Sequence, residues 1–97
     1  MLGRKLRIEY SVSFRNRLVA ISVEIARIAS DIDTGNNFVD RIQSAIERRA
    51  YHPTGNQSHL SSDGNEYFHI VIDRKWVVYY RIVDDVMLVV DVSYYGI

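Results

Sequence analysis

The strongest constraint on the fold lies near the C-terminus, where Trp76 to Tyr95 read WVVYYRIVDDVMLVVDVSYY. β-branched, aromatic and aliphatic residues fill this stretch, and such residues favour strands. The pair Asp84 and Asp85 interrupts it and fits a two-residue turn between antiparallel strands. A ribbon this apolar needs another apolar surface to pack against, and the rest of the chain must supply it.

The N-terminal half supplies that surface. Leu6 to Ser11 alternates apolar and polar residues, which predicts a half-buried strand. The period then becomes helical, and Ser11 or Ser13 can serve as the N-cap of a first helix. The apolar face of this helix is predicted to consist of Phe14, Leu18, Ile21, Ile25, Ile28 and Ile32.

A helical hairpin and a meander complete the predicted order. DIDTGNN at residues 31–37 is interpreted as a turn, followed by a second helix from about Asn37 to Ala50 that Pro53 stops. Residues 51–66 are predicted to form a long exposed loop. Three strands follow, at Tyr67 to Ile72, Trp76 to Val83, and Val86 to Tyr94 or Tyr95. The sequence therefore predicts an α+β fold with one sheet packed on two helices, as a single domain over residues 1–97.

Composition narrows the classes of function. The 97 residues carry a formal net charge of zero and contain no cysteine. Binding to nucleic acid would therefore need a local basic patch, and disulfides and cysteine-ligated zinc are excluded. No stretch resembles a signal peptide or a membrane span. We expect a cytoplasmic protein with no metal and no cofactor, which does not act at a membrane.

Strand periodicity assigns side chains to two faces of the C-terminal hairpin. With Val83 opposite Val86, the core face is predicted to carry Val77, Tyr79, Arg81, Val83, Val86, Leu88, Val90, Val92 and Tyr94. The second face is predicted to carry Trp76, Val78, Tyr80, Ile82, Met87, Val89, Asp91, Ser93 and Tyr95, with Asp91 opposite Val78.

The preceding strand depends on the turn at Asp73 to Lys75. A turn with two residues at its tip would place Tyr67, His69 and Asp73 on the second face, near Tyr80. It would also keep Phe68, Ile70 and Ile72 in the core. A three-residue loop would exchange the two sets of side chains.

Three stretches together resemble a known family. They are LRIEYSVSF opening into a long helix, FVDRIQSAIERRAYHPTG as a second helix with a Pro-Gly end, and the closing hairpin WVVYYRIVDDVMLVVDVSYY. Their order and spacing resemble the RelE/ParE superfamily, which comprises toxins of bacterial type II toxin-antitoxin systems, also called plasmid stabilisation proteins. The resemblance covers nearly the whole chain and implies a toxin that a cognate antitoxin neutralises.

The resemblance leaves three functions open. ParE-like members bind DNA gyrase, and RelE-like members cut messenger RNA on the ribosome with basic residues of the central strands. Here Val77 stands where an Arg is usual, and YFHIVID has neither Lys nor Arg. The ParE-like alternative is therefore preferred, and a non-toxic binding module is the third.

Two sets of site residues follow. If the protein is a ribonuclease, we expect proton transfer and charge stabilisation from His69, Tyr95 and Arg74. Contacts to a protein partner are expected at Trp76, Tyr80, Asp91 and Tyr94. For His69, Asp91, Tyr94 and Tyr95, a structural role in a half-buried strand is the preferred alternative.

Overall fold

Two helices and five strands account for most of the chain in a computed structural model that describes residues 4–55 and 58–95. In chain order they are β1 (Arg7–Tyr10), α1 (Val12–Ala29), α2 (Ile32–Arg49), β2 (His59–Leu60), β3 (Glu66–Ile72), β4 (Trp76–Val83) and β5 (Val86–Tyr94). The strands form one sheet in the order β1-β5-β4-β3-β2, and both helices pack on one face of it. The predicted α+β architecture is confirmed.

The predictions of a long loop and of no membrane span can both be compared with the structure. The predicted loop contains the short strand β2, and its residues Asn56 and Gln57 lie outside the described part of the chain. In the ranges 4–55 and 58–95, no helix combines the length and the apolar character needed to cross a membrane.

The first strand joins the sheet through a parallel pairing with β5, in which Tyr10 lies beside Val89. Ser11 then turns the chain into α1. Its backbone N–H donates to the Val89 carbonyl at 2.9 Å, and its Oγ accepts from the Phe14 N–H at 3.0 Å. Ser11 is therefore the N-cap, and the alternative at Ser13 is wrong.

The predicted turn at residues 31–37 is wrong, because most of these residues form the first turns of α2. The actual connection is two residues long. Ser30 ends α1 with a φ of 54°, and the Asp31 carboxylate accepts the Asp33 N–H at 3.1 Å as the N-cap of α2. Residues that favour turns are equally suited to capping helices, and here they cap one.

Gly35 permits the close approach of the two helices. A Cβ at this position would lie 2.5 Å from the backbone oxygen of Ser22 and 3.1 Å from the Cβ of Ala26. The glycine therefore reflects contact between helix backbones and not a turn. The predicted apolar face of α1 is only partly used, because Ile28 and Ile32 at the tip of the hairpin are exposed.

Gly35→Ala tests this helix contact. Alanine has the higher helix propensity, but its Cβ would have to displace the Ser22 backbone, so we expect a net loss of about 1–3 kcal/mol in the free energy of unfolding. Urea denaturation of this variant and of Asn36→Ala, an exposed neighbour in the same turn, provides the comparison. The Asn36 variant should be unchanged or slightly stabilised. A Gly35→Ala protein as stable as the wild type would show that the helices can separate at no cost.

The face predicted to be exposed is the one that packs on the helices. The buried side chains of β4 and β5 on the helix side are Val78, Tyr80, Met87, Val89 and Val92, and they belong to one apolar cluster with Phe14, Phe38, Ile42 and Ile46. Val77 is also buried but lies on the opposite side of the sheet. The predicted pairing of Val83 with Val86 is confirmed. The predicted assignment of faces is wrong over most of the hairpin, because both faces are rich in apolar residues and counting them does not identify the covered one.

A β-bulge changes the register within β5. Tyr79 pairs with Asp91, whereas the next residue, Tyr80, pairs with Val89, so Val90 is an extra residue on β5. Asp91 therefore lies opposite Tyr79, and the predicted pairing with Val78 is wrong. The bulge also moves Val92 onto the helix side, where it pairs with Val78.

The loop between β3 and β4 has three residues, since Ile72 pairs with Trp76. The preferred two-residue turn is therefore wrong. The prediction that Phe68, Ile70 and Ile72 lie in the core is nevertheless confirmed. The three-residue loop exchanges the two sides of β3 relative to β4, and the covered side of β4 is also the opposite of the predicted one, so the two errors cancel. Tyr67 and His69 consequently lie on the side away from the helices, not beside the buried Tyr80.

Candidate functional site

The sheet surface turned away from the helices is the candidate site, and we call it the open face. It comprises Tyr67, His69 and Val71 of β3, Val77, Tyr79, Arg81 and Val83 of β4, and Val86, Leu88, Asp91 and Ser93 of β5. Several of its apolar side chains are accessible: Val71 is 45% exposed, Val83 is 40% and Tyr79 is 37%. An accessible apolar surface on a central sheet is typical of a protein-binding site.

A histidine pair borders the open face. Because β2 pairs with the start of β3, the His59 ring stacks on the His69 ring with 5.1 Å between centroids. The nearby depression has a volume of about 370 Å³ and is lined by His59, Ser61, Tyr67, Tyr79, Val90 and Asp91. Within the described ranges, no group of three or more His, Cys, Asp or Glu residues is arranged to hold a metal ion.

Arg81, which the sequence analysis had placed in the core, supplies a cation to the open face. Its guanidinium carbon lies 5.9 Å from the centroid of the Tyr67 ring, and its Nη2 donates to Asn65 Oδ1 at 2.9 Å. The Tyr67 hydroxyl in turn donates to Asp63 at 3.0 Å. A backbone hydrogen bond from Asn65 is the main cause that lowers the pKa of Asp63. Correct assignment of the faces would have identified Arg81 as a site residue.

Asp91 forms an ion pair with the first helix. Its carboxylate lies 3.0 Å from Arg17 Nε and also accepts the Val92 N–H at 2.8 Å. Both side chains of the pair are about half exposed, so the pair contributes little to stability and remains accessible. The predicted contact of Asp91 with a protein partner stays a prediction.

Two other predicted partner contacts, Trp76 and Tyr94, lie together at the end of the sheet on the helix side. The Trp76 ring is 4.8 Å from the buried Phe38 ring and 5.1 Å from the Tyr94 ring, measured between centroids. Tyr94 is 58% exposed and ends this row of three rings. The pair is therefore accessible at the sheet end, away from the depression that Asp91 lines.

Tyr80 lies in the core and not on the accessible face where the sequence had placed it. The side chain is fully buried and its ring stacks on Phe68. Its hydroxyl donates to the Pro53 carbonyl and accepts from Arg49 Nη1 at 3.4 Å. Burial raises the pKa of Tyr80, and Arg49 opposes this effect.

The three predicted catalytic side chains are divided between two places. Arg74 lies in the loop between β3 and β4, and the Tyr95 N–H donates to the neighbouring Lys75 carbonyl at 2.7 Å. His69 pairs with Tyr79, three residues along the sheet from the Trp76–Tyr94 pair, which is about 10 Å. The structure thus places Arg74 and Tyr95 at one end of the sheet and His69 away from them, and their catalytic roles stay predictions.

Tyr80→Phe tests the buried hydroxyl. At neutral pH we expect a loss of about 1 kcal/mol in the free energy of unfolding, because Pro53 and Arg49 lose a partner. The folded pKa is raised, so the wild type should lose stability as the pH rises from 10 through that pKa. The difference between the two proteins should therefore narrow above pH 10.

Chemical denaturation at pH 7 to 11 measures this difference. Tyr94→Phe, which removes an exposed hydroxyl, is the control for the loss of a phenol. A gap between wild type and Tyr80→Phe that stays constant across this pH range would contradict burial of the Tyr80 hydroxyl.

Comparisons with known proteins bear on this fold. No protein-family profile matches the chain, and no curated protein matches it by sequence. A chain in a solved structure entitled "Chromosomal ParDE TA system from P. aeruginosa" is similar to it, with a TM-score of 0.76 over 93% of this chain and 96% of the other, at 9% identity. At such low identity the likeness shows a shared fold. The fold is thus ParE-like, as the resemblance to the RelE/ParE superfamily predicted.

Proposed function

We propose that this protein is the toxin of a type II toxin-antitoxin system, neutralised by a cognate antitoxin. The main support is the shared fold, which covers more than nine-tenths of both chains in a structure whose title names a ParDE TA system. The accessible apolar surface of the open face also supports a function that depends on binding another protein.

Within this class we propose a ParE-like toxin that acts by binding DNA gyrase in the cytoplasm. Two features of the chain favour binding over RNA cleavage. β3 carries no Lys or Arg, and the predicted catalytic residues His69, Arg74 and Tyr95 do not converge on one phosphate group. A general base, a cation and a general acid must surround the same phosphate for RNA cleavage.

Inducible expression in bacteria tests the toxin proposal. Growth should stop on induction and resume when the product of the adjacent reading frame is co-expressed. Tyr79→Ser, on the open face, should abolish the growth arrest, whereas Tyr51→Ser, which changes a similarly exposed tyrosine away from the sheet, should not. Normal growth at high levels of folded protein would contradict the toxin proposal and favour the non-toxic binding module.

Arg81 favours a second candidate, a RelE-like ribosome-dependent ribonuclease. Its guanidinium lies on the same face as His69 and Tyr67 and provides the cation that this face lacked in the sequence prediction. An arginine there can stabilise the charge that develops on a phosphate during cleavage. The ribonuclease function remains secondary because Arg81 is already engaged by Asn65 and the Tyr67 ring.

Arg81→Gln separates the two candidates. A gyrase-binding protein should inhibit DNA supercoiling and leave messenger RNA intact in a translation extract. A ribonuclease should cleave messenger RNA on ribosomes, and Arg81→Gln should then reduce cleavage by at least about 100-fold. Arg15→Gln, in an exposed position on α1, is the control of equal charge. Cleavage by wild type and by Arg81→Gln at the same rate would remove the open face as a nuclease site.

A further inference from the structure

A basic cleft runs between the end of α2 and the outer edge of β3. Ala45, Arg48, Arg49 and His52 follow one another at the spacing of a single helix face, and Ile70, Val71, Ile72 and Asp73 form the opposite wall. The cleft has a volume of about 400 Å³. The small side chain of Ala45 leaves this space open at the level where α2 packs on β3.

The positive charges of the cleft are not neutralised by acids. In the described ranges, neither the guanidinium of Arg48 nor the imidazole of His52 makes a hydrogen bond or ion pair with another residue. Arg49 Nη1 donates to two uncharged acceptors, the His69 carbonyl at 3.2 Å and the Tyr80 hydroxyl at 3.4 Å. Neither of the two arginine charges that face the cleft is therefore paired with a carboxylate.

The acids nearby are engaged or lie outside. The Asp73 carboxylate accepts from Arg41 Nε at 2.9 Å, so its charge is balanced within its own pair. Asp40 lines the adjoining cleft along α2 and not this one. The site consequently carries about two unbalanced positive charges.

Backbone groups also line the cleft. The carbonyls of Ile46, Arg48 and Arg49 accept the N–H groups of residues 50, 51 and 52, so they do not point free into the cleft. On the other wall, the described residues of β2 pair only with Glu66 and Tyr67 of β3. The His69 carbonyl on the outer edge of β3 accepts from Arg49, and strand alternation directs the Val71 N–H to the same side as a further donor.

We propose that this cleft binds a phosphate-type oxyanion, either inorganic phosphate or the phosphate group of a nucleotide. A phosphate monoester carries a charge of about −1.5 to −2 at pH 7, which matches the two free arginine charges, and its oxygens accept paired guanidinium N–H donors. A monocarboxylate would balance only one of these charges. This inference does not depend on the proposed toxin function.

Titration of the 15N-labelled protein with sodium phosphate at pH 7.5 and constant ionic strength tests the proposal. The amide signals of Arg48 to His52 and of Val71 should shift and saturate. Arg48→Gln and His52→Gln should each weaken binding, and Arg48→Gln should do so by about tenfold or more. Arg48 and His52 are exposed, so both variants should fold, and circular dichroism can verify this.

Matched controls and parallel titrations decide the outcome. Arg15→Gln removes an equal charge from α1 and should bind phosphate within about twofold of the wild type. Parallel titration with ATP distinguishes the two sources of the phosphate group, because the nucleotide should bind more tightly only if its base or sugar adds contacts. Shifts that do not saturate, equal binding of acetate, or equal loss in Arg15→Gln and Arg48→Gln would each overturn the proposal.

Discussion

Burial of one side of β3, β4 and β5 beneath the helical hairpin is the constraint on which the rest of the structure depends. The hairpin can lie flat on the sheet only because α1 and α2 approach closely, and Gly35 against the Ser22 backbone permits that approach. Phe14 from α1 and Phe38, Ile42 and Ile46 from α2 then fill one apolar cluster with the sheet. Since the helices cover one side, the open face on the other side of the central strands keeps accessible side chains such as Val71, Tyr79 and Val83.

The bulge at Val90 decides which polar groups reach the open face. Without it, Asp91 would alternate onto the buried side, where an unpaired carboxylate would be costly. With it, Asp91 lies opposite Tyr79 and pairs with Arg17. Ser11 connects this feature to the start of α1, because its Oγ donates to the Val90 carbonyl at 3.0 Å. The cap of the first helix and the irregularity in the last strand are therefore parts of one arrangement.

The sequence predicted the kinds of elements well, because period and turn chemistry are local properties. Helices, strands, the Val83–Val86 turn and the burial of Phe68, Ile70 and Ile72 all follow from such patterns. The faces of the hairpin were not predictable in this way. Val77, Leu88 and Val90 are as apolar as Val78, Met87 and Val89, so the choice between the two faces depends on where the helices pack.

Longer-range features were missed for related reasons. A bulge leaves little trace in an unbroken run of β-branched residues, and the parallel pairing of β1 with β5 joins segments almost 80 residues apart. The glycine and acids of residues 31–37 satisfied the usual description of a turn, yet their role follows from contact with α1. Arg81 was consequently overlooked as a site residue, since its location on the open face depends on the same choice of faces.

Arg49, at the end of α2, contacts both the outer edge of the sheet and its core. Its bonds to the His69 carbonyl and the Tyr80 hydroxyl tie the end of α2 to both the edge and the core of the sheet. An uncovered strand edge invites pairing with another chain, and a cation placed on an outward carbonyl opposes it. Pairing of another strand through the His69 carbonyl would therefore first have to displace Arg49. The same contacts also explain how an arginine near the end of a helix can be partly buried without an acid: its hydrogen bonds are made to neutral groups, and its charge remains available to the cleft.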